Sequence, residues 1–222
     1  MDRFRRGRPL FAALFAGLLL LLSGCNNPFK PADPEPPSGA GVDENFSSID
    51  DLLNTMSAAI QARSTNGANA YIRAFAESLT TTDRAFRAYH DQDVKATWLR
   101  TSNGQPAPEP WLIGNERGVY SELSRQRPND AYALNWTVYG AADYEVAPDV
   151  WAVGRKYQLY AIPDPQNPDQ QVLIVTGFAD MLLQKVGSRF SIFEWRDRVD
   201  PDYGVNPSGG PYSFTRIRLD SQ

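Results

Sequence analysis

Apolar residues after Ser48 recur at helical spacing. Ser48 followed three residues later by Asp51 is typical of a capping box at a helix N-terminus. The expected buried face comprises Ile49, Leu52, Leu53, Met56 and Ile60. Gly67 is placed to end this helix. A second helix is expected from Asn69, with Tyr71, Ile72, Phe75 and Leu79 on its inner side.

A short strand and a third helix are expected next. Residues 80–83 are polar and interrupt the helical pattern, and residues 85–89 read as a strand. Pro110 fits the first turn of the third helix, which ends before Pro128. The inner face of this helix is expected to carry Leu112, Ile113, Val119, Tyr120 and Leu123.

After Pro128 the hydrophobic period changes to two. Tyr132, Leu134, Trp136 and Val138 alternate with residues of the opposite face, which predicts a half-buried antiparallel strand. Three long strands are expected at residues 150–162, 171–186 and 189–198, and a last strand at 212–219. Gly154 and Gly177 lie inside strands and suggest bulges or sharp bends.

This order of elements predicts an α+β domain. N-terminal helices would pack on one face of a strongly curved, mainly antiparallel sheet. Such a half-closed sheet forms a cone, and its mouth is a common place for a pocket.

The N-terminus has the pattern of a lipoprotein export signal. Residues 1–8 contain four arginines, and residues 10–22 form an apolar run shorter than the roughly 20 residues of a spanning helix. The segment ends in Leu22-Ser23-Gly24-Cys25, which resembles the lipobox of bacterial lipoproteins. Residues 1–24 are therefore expected to be a signal peptide, with Cys25 as the acylated first residue of the mature chain.

A tether and one folded domain are expected to follow. Residues 25–45 are rich in proline and glycine, a composition that favours extended spacers, and residues 46–222 suit one domain. Cys25 is the one cysteine of the sequence, so no disulfide within the chain is expected. Without the leader the net charge falls from -4 to -7, which argues against nucleic-acid binding and against attraction to anionic lipid. The expected membrane contact is the lipid on Cys25.

Three short motifs suggest a family. Residues 190–197 resemble the aromatic-x-Ile-x-x-Trp-x-Asp strand of uncharacterised bacterial lipoproteins with a nuclear transport factor 2-like, or cystatin-like, α+β cone. Residues 213–218 resemble their closing strand, although Phe190 and Phe214 stand where tryptophan is frequent, and Trp111 followed by Glu116 resembles their third helix. The resemblance implies the cone fold. The superfamily includes isomerases, cyclases, dehydratases and non-catalytic modules, so fold alone selects no function.

Four residues are candidates for a pocket or a structural motif: His90, Glu116, Trp195 and Asp197. His90 stands beside Asp91 and could form an acid/base pair, although neighbours on a strand point to opposite faces. Trp195 and Asp197 would share one strand face with Ser191 and Phe193. In the preferred interpretation, Trp195 packs in the core and Asp197 pairs with Arg216 or Arg218 on the last strand, or holds a loop backbone.

Other site chemistries have weaker patterns. The aromatic residues could form a sugar-stacking face, but the five tryptophans lie on different elements: Trp98, Trp111, Trp136, Trp151 and Trp195. No metal site, cofactor or catalytic residue is predicted, since one histidine and no spare cysteine leave no recognisable ligand spacing.

The leading hypothesis is a lipid-anchored, non-enzymatic envelope module that binds a small apolar ligand or a partner protein. One alternative is an isomerase or cyclase that uses an acid inside the cone. Another is a module that forms homodimers through its sheet. Asn26 is not the aspartate typical of inner-membrane retention, so the outer membrane is favoured.

Overall fold

The computed structural model describes residues 41–77, 84–101, 106, 108–167, 169–203 and 213–222. Cys25, the leader and most of the tether lie outside these residues, as does Leu79. The elements are α1 Ile49–Ala62, α2 Thr65–Arg73, β1 Arg87–Tyr89, α3 Gln92–Thr101, β2 Trp111–Leu112, α4 Ile113–Gln126, β3 Ala131–Val138, β4 Tyr144–Ala147, β5 Val150–Ile162, β6 Val172–Val186, β7 Arg189–Val199 and α5 Phe214–Asp220. None of the described helices is both long and apolar enough to span a membrane.

The first two helices form as the hydrophobic pattern predicts, except at their junction. Ser48 Oγ accepts a hydrogen bond from the Asp51 amide at 3.0 Å and donates to the Asp51 carboxylate at 2.7 Å, which confirms Ser48 as the helix N-cap. The helix ends at Ala62, and its C-cap Arg63 adopts a left-handed conformation with φ of 47°. Gly67 is not the helix stop that was expected, because Ser64 caps a new helix and Gly67 lies within it.

The long strands were predicted almost to the residue. They form a seven-stranded sheet in the order β2-β1-β7-β6-β5-β3, with β4 also paired to β5. All pairs are antiparallel except β1 with β7. The predicted α+β class, with helices on a curved and mainly antiparallel sheet, is confirmed.

The register shifts in the sheet do not fall at the strand glycines. They lie between Leu159 and Tyr160 on β5, between Leu182 and Leu183 on β6, and between Glu145 and Ala147 on β4. Gly154 instead allows a close approach, because a Cβ there would lie 2.6 Å from the Tyr139 carbonyl oxygen. A Cβ on Gly177 would likewise meet the Tyr157 hydroxyl and the Arg198 carbonyl oxygen.

The predicted last strand is wrong, because residues 214–220 form helix α5. Ser213 is its N-cap, and Phe214, Ile217 and Arg218, at helical 3,4 spacing, are all buried. In a strand, Phe214 and Ile217 would point to opposite faces. The tertiary packing therefore selects the helix over the alternating pattern that suggested a strand.

Three further differences lie at shorter elements. The prediction missed β4 and also α3, whose first turn is capped by the Asp91 carboxylate. Leu112 belongs to β2 rather than to the inner face of the predicted third helix, and Trp111 lies in β2 as well rather than in that helix, which is α4 and begins at Ile113. The second helix begins at Thr65 and ends at Arg73, so Phe75 follows it and forms an isolated bridge with Ile192.

Candidate functional site

Glu116 and Arg218 form a bidentate ion pair between α4 and α5. Arg218 Nε lies 2.9 Å from Glu116 Oε2, and Nη2 lies 3.1 Å from Oε1. Neither side chain exposes any surface. Burial opposes the charged guanidinium, but the Glu116 carboxylate raises the pKa of Arg218 above its ordinary value.

Two more buried groups complete the hydrogen bonding of Glu116. The Tyr71 hydroxyl donates to Oε1 at 2.7 Å, and the Trp111 indole donates to Oε2 at 2.8 Å. Burial, and then the negative charge of Glu116, raise the pKa of Tyr71 well above its usual value. Glu116 therefore accepts four hydrogen bonds and connects α2, β2, α4 and α5.

Asp197 anchors the first turn of α5 rather than pairing with an arginine. Its Oδ2 accepts from the Thr215 amide at 2.7 Å and from the Thr215 hydroxyl at 2.6 Å, and its Oδ1 accepts from the Tyr157 hydroxyl at 2.5 Å. The predicted partners Arg216 and Arg218 bind Asp220 and Glu116 instead. Burial raises the pKa of Asp197, although the positive charge of Arg218 and these hydrogen bonds oppose the shift.

Trp195 packs in the core, as the preferred interpretation expected. It lies between the Glu116–Arg218 pair and the Asp197 group, whose Tyr157 ring is 6.2 Å from the Trp195 ring. Its ring lies 4.6 Å from the Arg218 guanidinium carbon and 5.4 Å from the Phe214 ring. The prediction that Trp195 and Asp197 share one strand face with Ser191 and Phe193 was wrong. The register shift opposite Phe193 places Ile192, rather than Phe193, on the face of Trp195 and Asp197.

His90 is buried beside this network. Its Nε2 lies 3.2 Å from the Pro108 carbonyl oxygen and therefore carries the donated proton, and its ring meets the Trp111 ring edge-on. Burial and the charge of Arg218 lower the pKa of His90 to about 4. The Asp91 carboxylate turns away to accept from the amides of Val94 and Val199, so these contacts do not form an acid/base pair.

All four candidate residues thus lie in or beside one interior network, defined here as Tyr71, Trp111, Glu116, Tyr157, Trp195, Asp197, Thr215 and Arg218. Arg218 is the central residue that the sequence prediction misplaced. The sequence signal for helix α5, and so for the place of Arg218, was the 3,4 spacing of Phe214, Ile217 and Arg218. A serine precedes this segment, as is typical of a helix N-terminus. Among the described residues, no cluster of three His, Cys, Asp or Glu side chains could hold a metal ion.

The network's acids have no surface to offer a substrate. Glu116 is fully buried and Asp197 is 3% exposed, and hydrogen bonds from protein groups engage both oxygens of each carboxylate. A general acid or base must reach the reacting proton within hydrogen-bond distance. The arrangement can therefore hold α5 against the sheet, and it offers no open acid.

A cleft lies on the opposite face of the sheet, which we call the outer cleft. It has a volume of about 470 Å³. Its lining includes Tyr139, Tyr144, Ala152, Gly154, Asp180, Leu182, Glu194 and Arg196. The chain after β3 crosses this face directly over Gly154, where the Tyr139 amide donates to the Gly154 carbonyl oxygen at 3.2 Å.

Ion pairs and aromatic groups border the outer cleft. Arg196 binds Glu194 at 2.7 Å, and Arg198 binds Asp180 at 2.8 Å. Tyr144 is 56% exposed and Tyr139 is 40% exposed. The tryptophans do not contribute, because Trp98, Trp111 and Trp195 are buried and Trp136 and Trp151 pack partly buried against the core.

No protein-family model matches this sequence, and no curated protein matches it. A protein of unknown function from Mycobacterium tuberculosis is a structural neighbour, with 14% identity and a TM-score of 0.46 over 78% of this chain and 83% of that one. A protein named after scytalone dehydratase from Novosphingobium aromaticivorans matches with 8% identity and a TM-score of 0.45 over 73% and 89%. A nuclear transport factor 2-like protein of unknown function from Shewanella oneidensis matches with 14% identity and a TM-score of 0.41 over 67% and 94%. Similarity at this level concerns the course of the chain and says nothing about activity.

Proposed function

We propose that the protein is a lipid-anchored, non-catalytic module of the cell envelope that binds a small ligand or a partner protein in its outer cleft. The observation that carries this proposal is a contrast between the two faces of the sheet. On the helix side, protein groups surround Glu116 and Asp197, the two acids of the interior network, whereas the outer cleft is open and has exposed aromatic side chains. Ligand sites are typically concave and largely apolar, with a few polar groups.

The anchor is proposed from the sequence. The Leu22-Ser23-Gly24-Cys25 motif directly follows an apolar leader. Acyl chains on Cys25 would give a stable attachment, since two or more chains bind far more strongly than one. The outer membrane is the proposed location, because aspartate does not follow the cysteine.

The anchor has a direct test in cells. Changing Cys25 to Ala should abolish incorporation of labelled fatty acid and leave the precursor uncleaved at this site. Changing Ser23 to Ala keeps a small residue in the motif, so it should preserve labelling. Continued labelling of the Cys25→Ala protein would contradict the proposal.

Binding is tested by filling the cleft. Ala152 lies on its floor, so Ala152→Trp should remove the thermal shift produced by a ligand, or the recovery of a partner, found with the unchanged protein. Gln158→Trp places the same side chain farther along β5 on the same face and should leave binding intact. Turnover of a substrate without any stable binding partner would contradict a non-catalytic function and would favour the isomerase or cyclase alternative.

A further inference from the structure

We infer that the outer cleft binds a carbohydrate, a ring ligand with one apolar face and hydroxyl groups around its edge. This inference rests on the proposed function, because it requires the outer cleft to be the binding site. It names a ligand class that differs from the purely apolar molecule expected from the sequence. Three properties of the cleft support it: a flat floor, exposed tyrosines and a charged border.

The floor of the cleft has very short side chains. Ala152 and Gly154 of β5 form part of it, and Ala141 and Ala142 form the adjoining wall. Glycine inside a strand often marks a position where another group approaches the backbone closely, and at Gly154 that group is the Tyr139 carbonyl. The part of the floor that stays open is therefore at Ala152, with the apolar side chain of Leu182 beside it. A flat ring can lie there, next to the segment that covers Gly154.

Exposed aromatic rings stand beside this floor. Tyr144 is 56% exposed, whereas Tyr139 is 40% exposed and its ring packs against Phe178, with the two ring centroids 4.2 Å apart. Large aromatic side chains usually gain stability from burial, so their exposure at a concave site is informative. The C–H groups on one face of a pyranose ring pack well against an aromatic face, while the tyrosine hydroxyl can bond to a sugar hydroxyl.

The border of the cleft is charged, which discriminates between ligand classes. Glu194, Arg196 and Asp180 all line it. An apolar ligand would cover these charges without replacing their contacts with water, which is unfavourable. Sugar hydroxyl groups can donate to the two carboxylates and accept from the guanidinium, forming charge-assisted hydrogen bonds. Arg196 remains 64% exposed while it binds Glu194, so it is accessible to a ligand.

The test uses the mature protein with its anchor, reconstituted in nanodiscs, with empty nanodiscs as the blank. Cellobiose, maltose and chitobiose are titrated by calorimetry and by ligand-observed NMR, and 2-naphthol serves as the apolar probe. At least one disaccharide should bind. Tyr144→Ala should weaken its affinity about tenfold or more, equivalent to about 1.4 kcal/mol. Glu194→Gln should weaken it as well.

The control is Tyr203→Ala, which removes another exposed tyrosine that does not line the cleft. Its affinity for the disaccharide should be unchanged. If 2-naphthol binds in a Tyr144-dependent manner and no disaccharide does, the carbohydrate inference is overturned while the proposed site stands. If a disaccharide binds equally well to Tyr144→Ala and to Ala152→Trp, the outer cleft is not its site and the inference fails. If neither class of probe binds and no partner is recovered, the proposed function fails with it.

Discussion

Glu116 shows how a charged residue becomes part of a protein core. Removing an ion pair from water is expensive, and the attraction between the charges compensates only when the remaining hydrogen-bonding capacity is also satisfied. The Glu116 carboxylate meets this condition through Arg218, Tyr71 and Trp111, whereas Arg218 Nη1 has no hydrogen-bond partner among the described residues. Because these partners come from different elements, the carboxylate stabilises one specific arrangement of them.

Replacing Glu116 with Gln should destabilise the protein strongly. Arg218 would stay charged and buried without its counter-ion, at a cost of about 3–5 kcal/mol. Asp180→Asn is the control, since Asp180 pairs with Arg198, both side chains are 46% exposed, and such exposed pairs contribute about 1 kcal/mol or less. Urea unfolding monitored by tryptophan fluorescence measures both. A loss below 1 kcal/mol for Glu116→Gln would show that the buried pair is not a major contributor.

The pKa of His90 should lie far below that of an ordinary histidine. It is the single histidine of the chain, so its ring proton resonance reports it alone, with an expected midpoint near pH 4. Burial keeps the folded form neutral, so the unfolded chain binds a proton first as the pH falls below about 6.5. The free energy of unfolding should therefore decrease between pH 6.5 and pH 4, with about 3 kcal/mol due to His90.

The variant His90→Gln separates this effect from the carboxylates that also titrate in acid. As the pH falls from 6.5 to 4, the unchanged protein should lose more unfolding free energy than His90→Gln does. A difference that stays constant over this range, or an NMR midpoint near 6.5, would contradict the burial of His90.

At the scale of elements, Gly67 sets how closely the helices approach. A Cβ at this position would lie 2.5 Å from the Ala59 carbonyl oxygen and would also meet the Tyr120 hydroxyl. Gly67→Ala should therefore destabilise the fold by about 1–3 kcal/mol, the usual cost of overpacking. Gly114→Ala in α4 meets nothing within 4 Å and should be stabilising by about 0.5–1 kcal/mol. Thermal unfolding of Gly67→Ala and Gly114→Ala measures both effects. Equal changes in stability for the two variants would be inconsistent with close packing at Gly67.

Elements with a strong hydrophobic period were predictable, and elements fixed by distant contacts were not. β5 spans the predicted residues because its alternation continues over 13 positions. In contrast, α5 has seven residues, and the Asp197 carboxylate holds its first turn from a distant strand. The seven residues of α5 contain one 3,4 repeat, at Phe214, Ile217 and Arg218, and this single repeat competes with the alternating pattern that suggested a strand.

The residues of the interior network could be predicted from the sequence, but the contacts between them could not. The motifs singled out Trp111, Glu116, Trp195 and Asp197, and these residues do lie together. Their pairing depended on the helical form of α5 and on the register shift beside Phe193, which changes the faces of β7. The outer cleft had no signal in the sequence, because its floor is defined by small residues from separate segments.

At the scale of the whole molecule, the acidic charge bears on the way the protein meets a membrane. The mature chain carries a net charge of -7 under the proposed cleavage before Cys25, so anionic lipid should repel it. We expect the lipid on Cys25 to be the membrane attachment. A protease site inserted after Ser38 separates this anchor from the remaining chain.

After cleavage at that site, the fragment should remain in the supernatant when it is centrifuged with phosphatidylserine vesicles, whereas the uncut protein should sediment with them. Low salt makes the test stringent, since the screening length is about 10 Å at 0.1 M and about 30 Å at 0.01 M. Attraction to the vesicle surface would therefore be strongest at 0.01 M. A fragment that sediments at low salt and dissociates as salt is raised would reveal a basic surface contact, and the lipid could not be the whole of the attachment.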